Sequence, residues 1–265
     1  MENLIENLII EFVKNYSKEH DTKTKWLTPI VGFADSCDPE FLELKQVIAE
    51  KHLTPKEVLS ESESVICYFL PFEKEINLGN VKKGLASKDW AISYVETNNM
   101  IEKLNDYLSE KLGEMNHTCS KIPPTHNFDK EKLISYWSHR HVAKIAGLGT
   151  FGINNMLITE KGCNGRFGSL ITSAKLKPSE KPDYEYCLYK YHGSCKLCIE
   201  KCEKEALKIN EFDRKECYKV CLTNQKVYEK YGVADVCAKC LCNVPCSFKN
   251  PAKNLNDKLK SENKS

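Results

Sequence analysis

The sequence predicts an α/β (α+β) domain with a central sheet over residues 1–180, then a small cysteine-rich module over 181–250 and a flexible tail over 251–265. Three observations predict this. Helical and strand-like segments alternate through Leu176, the mark of a sheet covered by helices. The stretch KPSEKPDYEY, rich in proline and charge, reads as a boundary. Ten of the 14 cysteines fall between Cys187 and Cys246, directly after that boundary.

The elements follow in order. MENLIENLIIEFVKNY reads as an amphipathic helix with Leu4, Leu8, Ile9 and Phe12 inward. Its glutamates make it neither a signal peptide nor a membrane span. PEFLELKQVIAEKH, from Pro39, has helical spacing, and SVICYFLPF, from Ser64, is a short continuous apolar run typical of a buried strand. A long amphipathic helix is expected over about residues 88–115, with Ile92, Val95, Met100, Ile101, Leu104, Tyr107, Leu108 and Leu112 as its inner face. SKIPPTHNFDKEK is a loop. KLISYWSHRHVAKIAG continues as a helix ending at glycines, and MLIT and GSLITSAKL, the latter from Gly168, read as strands.

Gly147, Gly149 and Gly152 spell GLGTFG, a literal dinucleotide-binding fingerprint and the candidate cofactor-binding glycines of the chain. That fingerprint needs a strand before it and a helix after it, whereas here the order is helix, glycines, strand. The preferred reading is glycines that end a helix and let backbone approach a neighbour closely.

Charge excludes little by itself. Lysine plus arginine number 39 against 37 acids, and a net charge of +2 supplies no field that would draw in nucleic acid or a membrane surface. No apolar run has the length of a membrane span, so a cytoplasmic location is expected. Thiols kept reduced there serve as metal ligands or nucleophiles rather than disulfides.

The cysteine spacing carries the chemistry. In HGSCKLCIEKCEKEA, Cys195, Cys198 and Cys202 keep the last three cysteines of the ferredoxin run CxxCxxCxxxC, while His192 stands at the first cysteine and Glu203 at the usual proline. The nearest upstream thiol is Cys187, joined by a glycine-containing segment that can fold back. A second group, Cys217, Cys221, Cys237, Cys240, Cys242 and Cys246, again holds a CxxC step. In two-cluster ferredoxins the fourth cysteine of each run serves the other cluster. That rule assigns Cys187, Cys195, Cys198 and Cys246 to one [4Fe-4S] cluster, and Cys202, Cys217, Cys237 and Cys240 to a second. Cys217 and Cys221 lie on similar helical faces, so either can reach, and Cys221 and Cys242 are otherwise spare or packing residues. A four-cysteine zinc site on the two CxxC pairs is the competing metal reading, but it leaves six nearby cysteines unexplained.

Together SHRHVAKIAGLGTFGINNMLIT, GSLITS, CLYKYHGSCKLCIEKC and VCAKCLCNVPC resemble the epoxyqueuosine reductase family, over about Val31 to Cys246. The resemblance implies an α/β domain that binds cobalamin, joined to a two-cluster ferredoxin-like module, with a kinship to reductive dehalogenases. Three departures stand out. Lys132, Leu133 and Ile134 occupy the short stretch in which the family carries its proton-donating aspartate. Ile153-Asn154-Asn155 replaces a stretch that holds a lysine. The chain stops at Ser265, short of the helical repeats that hold tRNA, which disfavours tRNA as substrate. Nearby proton carriers are His139, His141, Tyr136 and Asp129; an ordinary structural role is favoured for each, and no catalytic residue is assigned.

The expected function is an iron-sulfur oxidoreductase. Electrons from a donor protein of the ferredoxin or flavodoxin type would pass through two clusters to a small-molecule substrate or corrinoid in the N-terminal domain. The alternative is an electron-transfer or activating protein without substrate chemistry of its own. A zinc-stabilised binding module ranks third.

Overall fold

A computed structural model of the chain describes residues 1–262. They form two compact units: Met1–Pro71, Ser93–Leu148 and Gly165–Lys181 make one, and Phe72–Ile92, Gly149–Asn164 and the chain from Pro182 make the other. The expected boundary between residues 180 and 181 lies beside the end of the last segment of the first unit. The second unit also draws in two earlier stretches that chain order alone does not assign to it.

The first unit is built on a four-stranded sheet in the order Ile30–Asp35, Ser64–Pro71, Gly165–Thr172, Cys119–Lys121, with every pairing antiparallel. The sheet is therefore of the α+β kind. Ser64–Pro71 is buried at every position, which is why its sequence is continuously apolar rather than alternating. Register sets Tyr68 opposite Gly168, whose missing side chain leaves room for the tyrosine ring. The buried Tyr68 hydroxyl donates to Asn105 Oδ1 at 2.8 Å, and Asn105 Nδ2 donates to the Ser169 carbonyl at 3.2 Å.

On one face lie the helices Glu2–Glu19 and Lys88–Glu114. Met100, Ile101, Leu104, Leu108 and Leu112 are fully buried, as the periodicity predicts, and each contributes roughly 1.5–3 kcal/mol of apolar burial. Val95 and Tyr107 are half-buried at the edge of that stripe. The first helix buries Ile9 as expected, together with Ile5, Val13 and Tyr16 in place of Leu4, Leu8 and Phe12. The stripe is rotated toward the C-terminal side, leaving Leu4 exposed and Leu8 and Phe12 at its margin.

The helix His139–Ile145 packs on the other face of the sheet. It is shorter than expected. Ile134–Ser135 pairs with Phe128–Asp129 in a small hairpin, so the predicted helical start at Lys132 is a turn, with Leu133 at φ 54°. The end matches expectation. Gly147, at φ 76°, donates to the Lys144 carbonyl while Leu148 donates to Ala143, which is the Schellman closure.

The second unit is mostly short helices and turns. Thr150–Phe151 and Leu157–Ile158 form a two-stranded ribbon, and the expected MLIT strand is reduced to those last two residues. Gly149 abuts the Ile158 carbonyl so closely that no Cβ fits between them. The expected flexible tail is helical: Lys253–Glu262 buries Asn256, and Lys260 pairs with Asp183 at 2.9 Å. Residues 263–265 of that tail lie outside the described residues.

Candidate metal centre

Within the second unit, Cys187, Cys195, Cys198 and Cys246 line one small pocket. Local sequence explains how. Cys187 precedes a single helical turn, Leu188–His192, which Gly193 closes at φ 81° by donating to the Tyr189 carbonyl. The chain thereby doubles back, so Cys187 and Cys195 border one space although seven residues separate them. Cys198 follows on the turn Leu197–Glu200. His192, which stands where a ferredoxin would carry cysteine, is exposed. The rest of the wall comprises Gly152, Ile153, Asn154 and Ile158 from the ribbon turn, with Leu188, Val244, Pro245 and Pro251. This is an apolar shell broken by few polar groups.

Such a shell resists bare thiolates. Burial, together with the neighbouring Cys246, Cys187 and Cys195, pushes the Cys198 thiol up to about 12. Iron would supply the positive charge that lets these thiols ionise together, so the donor set fits a cluster. Among the described residues, no three His, Cys, Asp or Glu side chains converge closely enough to hold a single ion.

The remaining cysteines of the second assignment also gather. Burial together with Cys217, Cys237 and Cys202 raises the half-buried Cys240 thiol well above the usual range. Burial likewise lifts Cys237 to about 11, with Cys217 and Cys202 adding to it. Cys217 and Cys221 sit one turn apart on Arg214–Tyr228, a helix capped by the Asp213 carboxylate accepting from the Glu216 amide at 3.0 Å. The two thiols are hydrogen-bonded to each other, and that bond is the largest cause of the rise at Cys221.

Three asparagines hold the Cys237–Asn243 loop. Asn80 Nδ2 donates to the Cys237 carbonyl at 2.9 Å and to Cys242 Sγ at 3.5 Å. Asn77 donates to the Leu241 carbonyl at 3.2 Å and accepts from the Asn243 amide at 2.9 Å. Asn224 Nδ2 donates to Val236 at 2.8 Å. Lys239 is buried between the two CxxC thiols and donates to Asn80 O, Asn80 Oδ1 and Leu85 O at 3.1, 3.0 and 2.9 Å. Cys242 is fully buried, consistent with packing.

Sequence reasoning missed Cys163. It precedes the cysteine-rich segment in the chain yet lies in the second unit, fully buried, with its amide donating to the Cys246 carbonyl at 2.9 Å and its thiol hydrogen-bonded to Cys246. That bond keeps the Cys163 proton in place and draws the Cys246 thiol below its usual range. No spacing motif reveals such a contact. Cys37, exposed, Cys67, on a sheet strand, and Cys119 belong to the first unit.

The candidate proton carriers have structural roles. His139 is buried, its Nε2 donating to the Pro123 carbonyl at 3.0 Å and its Nδ1 accepting from Ser169 Oγ at 2.8 Å. Ser169 in turn accepts from Trp137 Nε1 at 3.0 Å, which fixes the tautomer. Burial pushes the imidazole down to about 4. Asp129 accepts from the Glu131 and Lys132 amides at 2.9 Å, capping the turn that carries Lys132, Leu133 and Ile134. His141 Nδ1 meets Ser138 Oγ at 2.7 Å, and the Tyr136 backbone ties the hairpin to Leu53 and Asn127. The three glycines act locally: Gly147 closes a helix, Gly149 admits the Ile158 carbonyl, and Gly152 leaves room for the Asn154 side chain, whose Oδ1 would lie 2.6 Å from a Cβ there. No helix of the described residues is long and apolar enough to cross a membrane.

Neither a protein-family model nor a curated protein matches the chain. Solved structures do. An epoxyqueuosine reductase from Streptococcus thermophilus aligns with a TM-score of 0.53 at 18% identity, over 89% of this chain and 65% of that one. One from Bacillus subtilis aligns at 0.54 and 18%, over 89% and 64%. A selenomethionine-labelled epoxyqueuosine reductase gives 0.51 and 18%, over 92% and 69%. The chain thus spans about two thirds of the length of the structures it matches. At that identity the likeness is one of architecture: the chain has an epoxyqueuosine reductase-like fold.

Proposed function

We propose that the chain is an iron-sulfur oxidoreductase of the epoxyqueuosine reductase-like type. Cys187, Cys195, Cys198 and Cys246 would hold one [4Fe-4S] cluster, and Cys202, Cys217, Cys237 and Cys240 a second. The observation that carries this reading is the cavity whose wall holds all four thiols of the first set. Clusters so held supply one-electron transfer from a donor protein of the ferredoxin or flavodoxin type. The protein's own part is to enclose them. Val244, Pro245, Ile158 and Leu188 exclude water from the first, while Asn80, Asn77 and Lys239 fix the loop that presents Cys237 and Cys240. The acceptor is a small-molecule substrate or a corrinoid in the N-terminal domain. A protein that only relays electrons is the second reading; it is favoured by the absorption of His139 and Asp129 into structural bonds, which leaves neither free to donate a proton.

Anaerobic purification followed by iron, sulfide and corrinoid analysis tests this. About eight irons per chain are expected, with a broad brown absorption. Cys198→Ala and Cys240→Ala should each retain about half of that iron, because one cluster of two is lost, while Cys37→Ala and Cys119→Ala should retain all of it. Equal losses in both pairs, or zinc without sulfide, would overturn the proposal. A retained corrinoid selects the reductase over the relay.

A further inference from the structure

Cys163 is a fully buried thiol of the second unit outside the two ligand sets. The tight turn around it is specified by sequence. Thr159 and Gly162 exchange backbone bonds at 3.0 and 2.9 Å, and Thr159 Oγ1 also donates to the Gly162 carbonyl at 2.8 Å. Gly162 has φ 78°, and a Cβ there would collide with the backbone of Ser247. Only glycine allows this approach. The next two residues then dock on the chain at Cys246: the Cys163 amide donates to the Cys246 carbonyl at 2.9 Å, and the Asn164 amide to the Ser247 carbonyl at 3.0 Å. Cys163 is consequently sealed from solvent, with its sulfur against that of Cys246. It does not line the cavity, whose wall is formed by Cys187, Cys195, Cys198 and Cys246. It therefore stands behind a ligand rather than among the ligands.

Resting on the cluster reading above, we propose that Cys163 is a positioning residue whose S–H donates to the Cys246 sulfur, fixing that ligand and raising the reduction potential of the cluster held by Cys187, Cys195, Cys198 and Cys246. The physical reason is that added negative charge on a reduced cluster is shared by its ligand sulfurs. A donor aimed at one of them stabilises the reduced form more than the oxidised form. A buried donor acts strongly because no water competes for the same lone pair.

The test is a redox titration, followed by electron paramagnetic resonance, of anaerobically reconstituted wild type, Cys163→Ala and Cys163→Ser. Iron and sulfide are measured first in each. The expected result is full iron in all three, with one cluster of Cys163→Ala moved to a more negative midpoint potential and the other unmoved. Serine, which restores a donor, should bring the shifted potential back toward wild type. Unchanged potentials in an iron-replete Cys163→Ala would overturn the proposal, leaving Cys163 a packing residue. Loss of half the iron in Cys163→Ala would also overturn it, because Cys163 would then be a ligand. Wild type lacking iron and sulfide after reconstitution would remove the cluster reading itself, a result distinct from either of these.

Discussion

His139 offers a direct test of whether a buried imidazole in this fold carries protons or holds structure. Its two nitrogens are engaged by Pro123 and Ser169, and burial depresses its pKa from 6.5 to about 4, with Arg166 reinforcing the shift. The unfolded chain then binds a proton that the folded chain refuses between those two values. Stability from this site is therefore fully present above about pH 6.5, falls as the pH drops through the window, and levels off below about pH 4. The full shift corresponds to about 3.4 kcal/mol at about 1.36 kcal/mol per unit, of which about 2 kcal/mol is lost by pH 5. Amide hydrogen exchange of Ser64–Pro71, measured at pH 7 and pH 5, reads the opening free energy of the sheet. Wild type should lose about 2 kcal/mol more than His139→Gln across that step, since glutamine keeps polar contacts but does not titrate. A ring resonance titrating near 6.5, or equal pH dependence in the two proteins, would refute the reasoning and return His139 to the candidate proton donors.

Two further outcomes follow from the geometry. Cys217→Ser should cost about half the iron and Cys221→Ser almost none, because the proposed ligand set takes Cys217 and leaves Cys221 spare; iron per chain decides, and the reverse order would exchange their assignments. Gly149→Ala should destabilise the second unit by about 1–3 kcal/mol through collision with the Ile158 carbonyl, whereas Gly113→Ala, with nothing near its Cβ position, should stabilise its helix by about 0.5–1 kcal/mol. Urea unfolding midpoints compare the two.

Local signals in the sequence were sufficient where one pattern governed a whole element. Ser64–Pro71, apolar throughout, and Lys88–Glu114, with its helical stripe, are such cases. Gly165–Thr172 begins three residues before its apolar run, because Gly165 and Arg166 pair with Pro71 and Leu70 across the sheet, and pairing is invisible to hydropathy. The hairpin at Phe128–Asp129 and Ile134–Ser135 was hidden for a different reason. Its apolar residues mimic a helical stripe, and the deciding turn uses Leu133 in a left-handed conformation that composition does not advertise. At the candidate site, spacing grouped the four thiols that border one pocket, since Gly193 makes the fold-back explicit. Cys163 escaped because its neighbour is far along the chain and the contact depends on Gly162 meeting Ser247.

The asparagines that brace the Cys237–Asn243 loop have a consequence for any attempt to borrow the cysteine-rich region as a free-standing electron carrier. Asn77 and Asn80 are made long before the carbonyls they clasp, and the turn bearing Cys163 likewise precedes the segment at Cys246 on which it docks. A fragment excised at residue 181 would keep all eight proposed ligands yet forfeit the braces, leaving unsatisfied carbonyls and a wall open to solvent. Such a fragment should assemble its iron poorly and release it quickly in air.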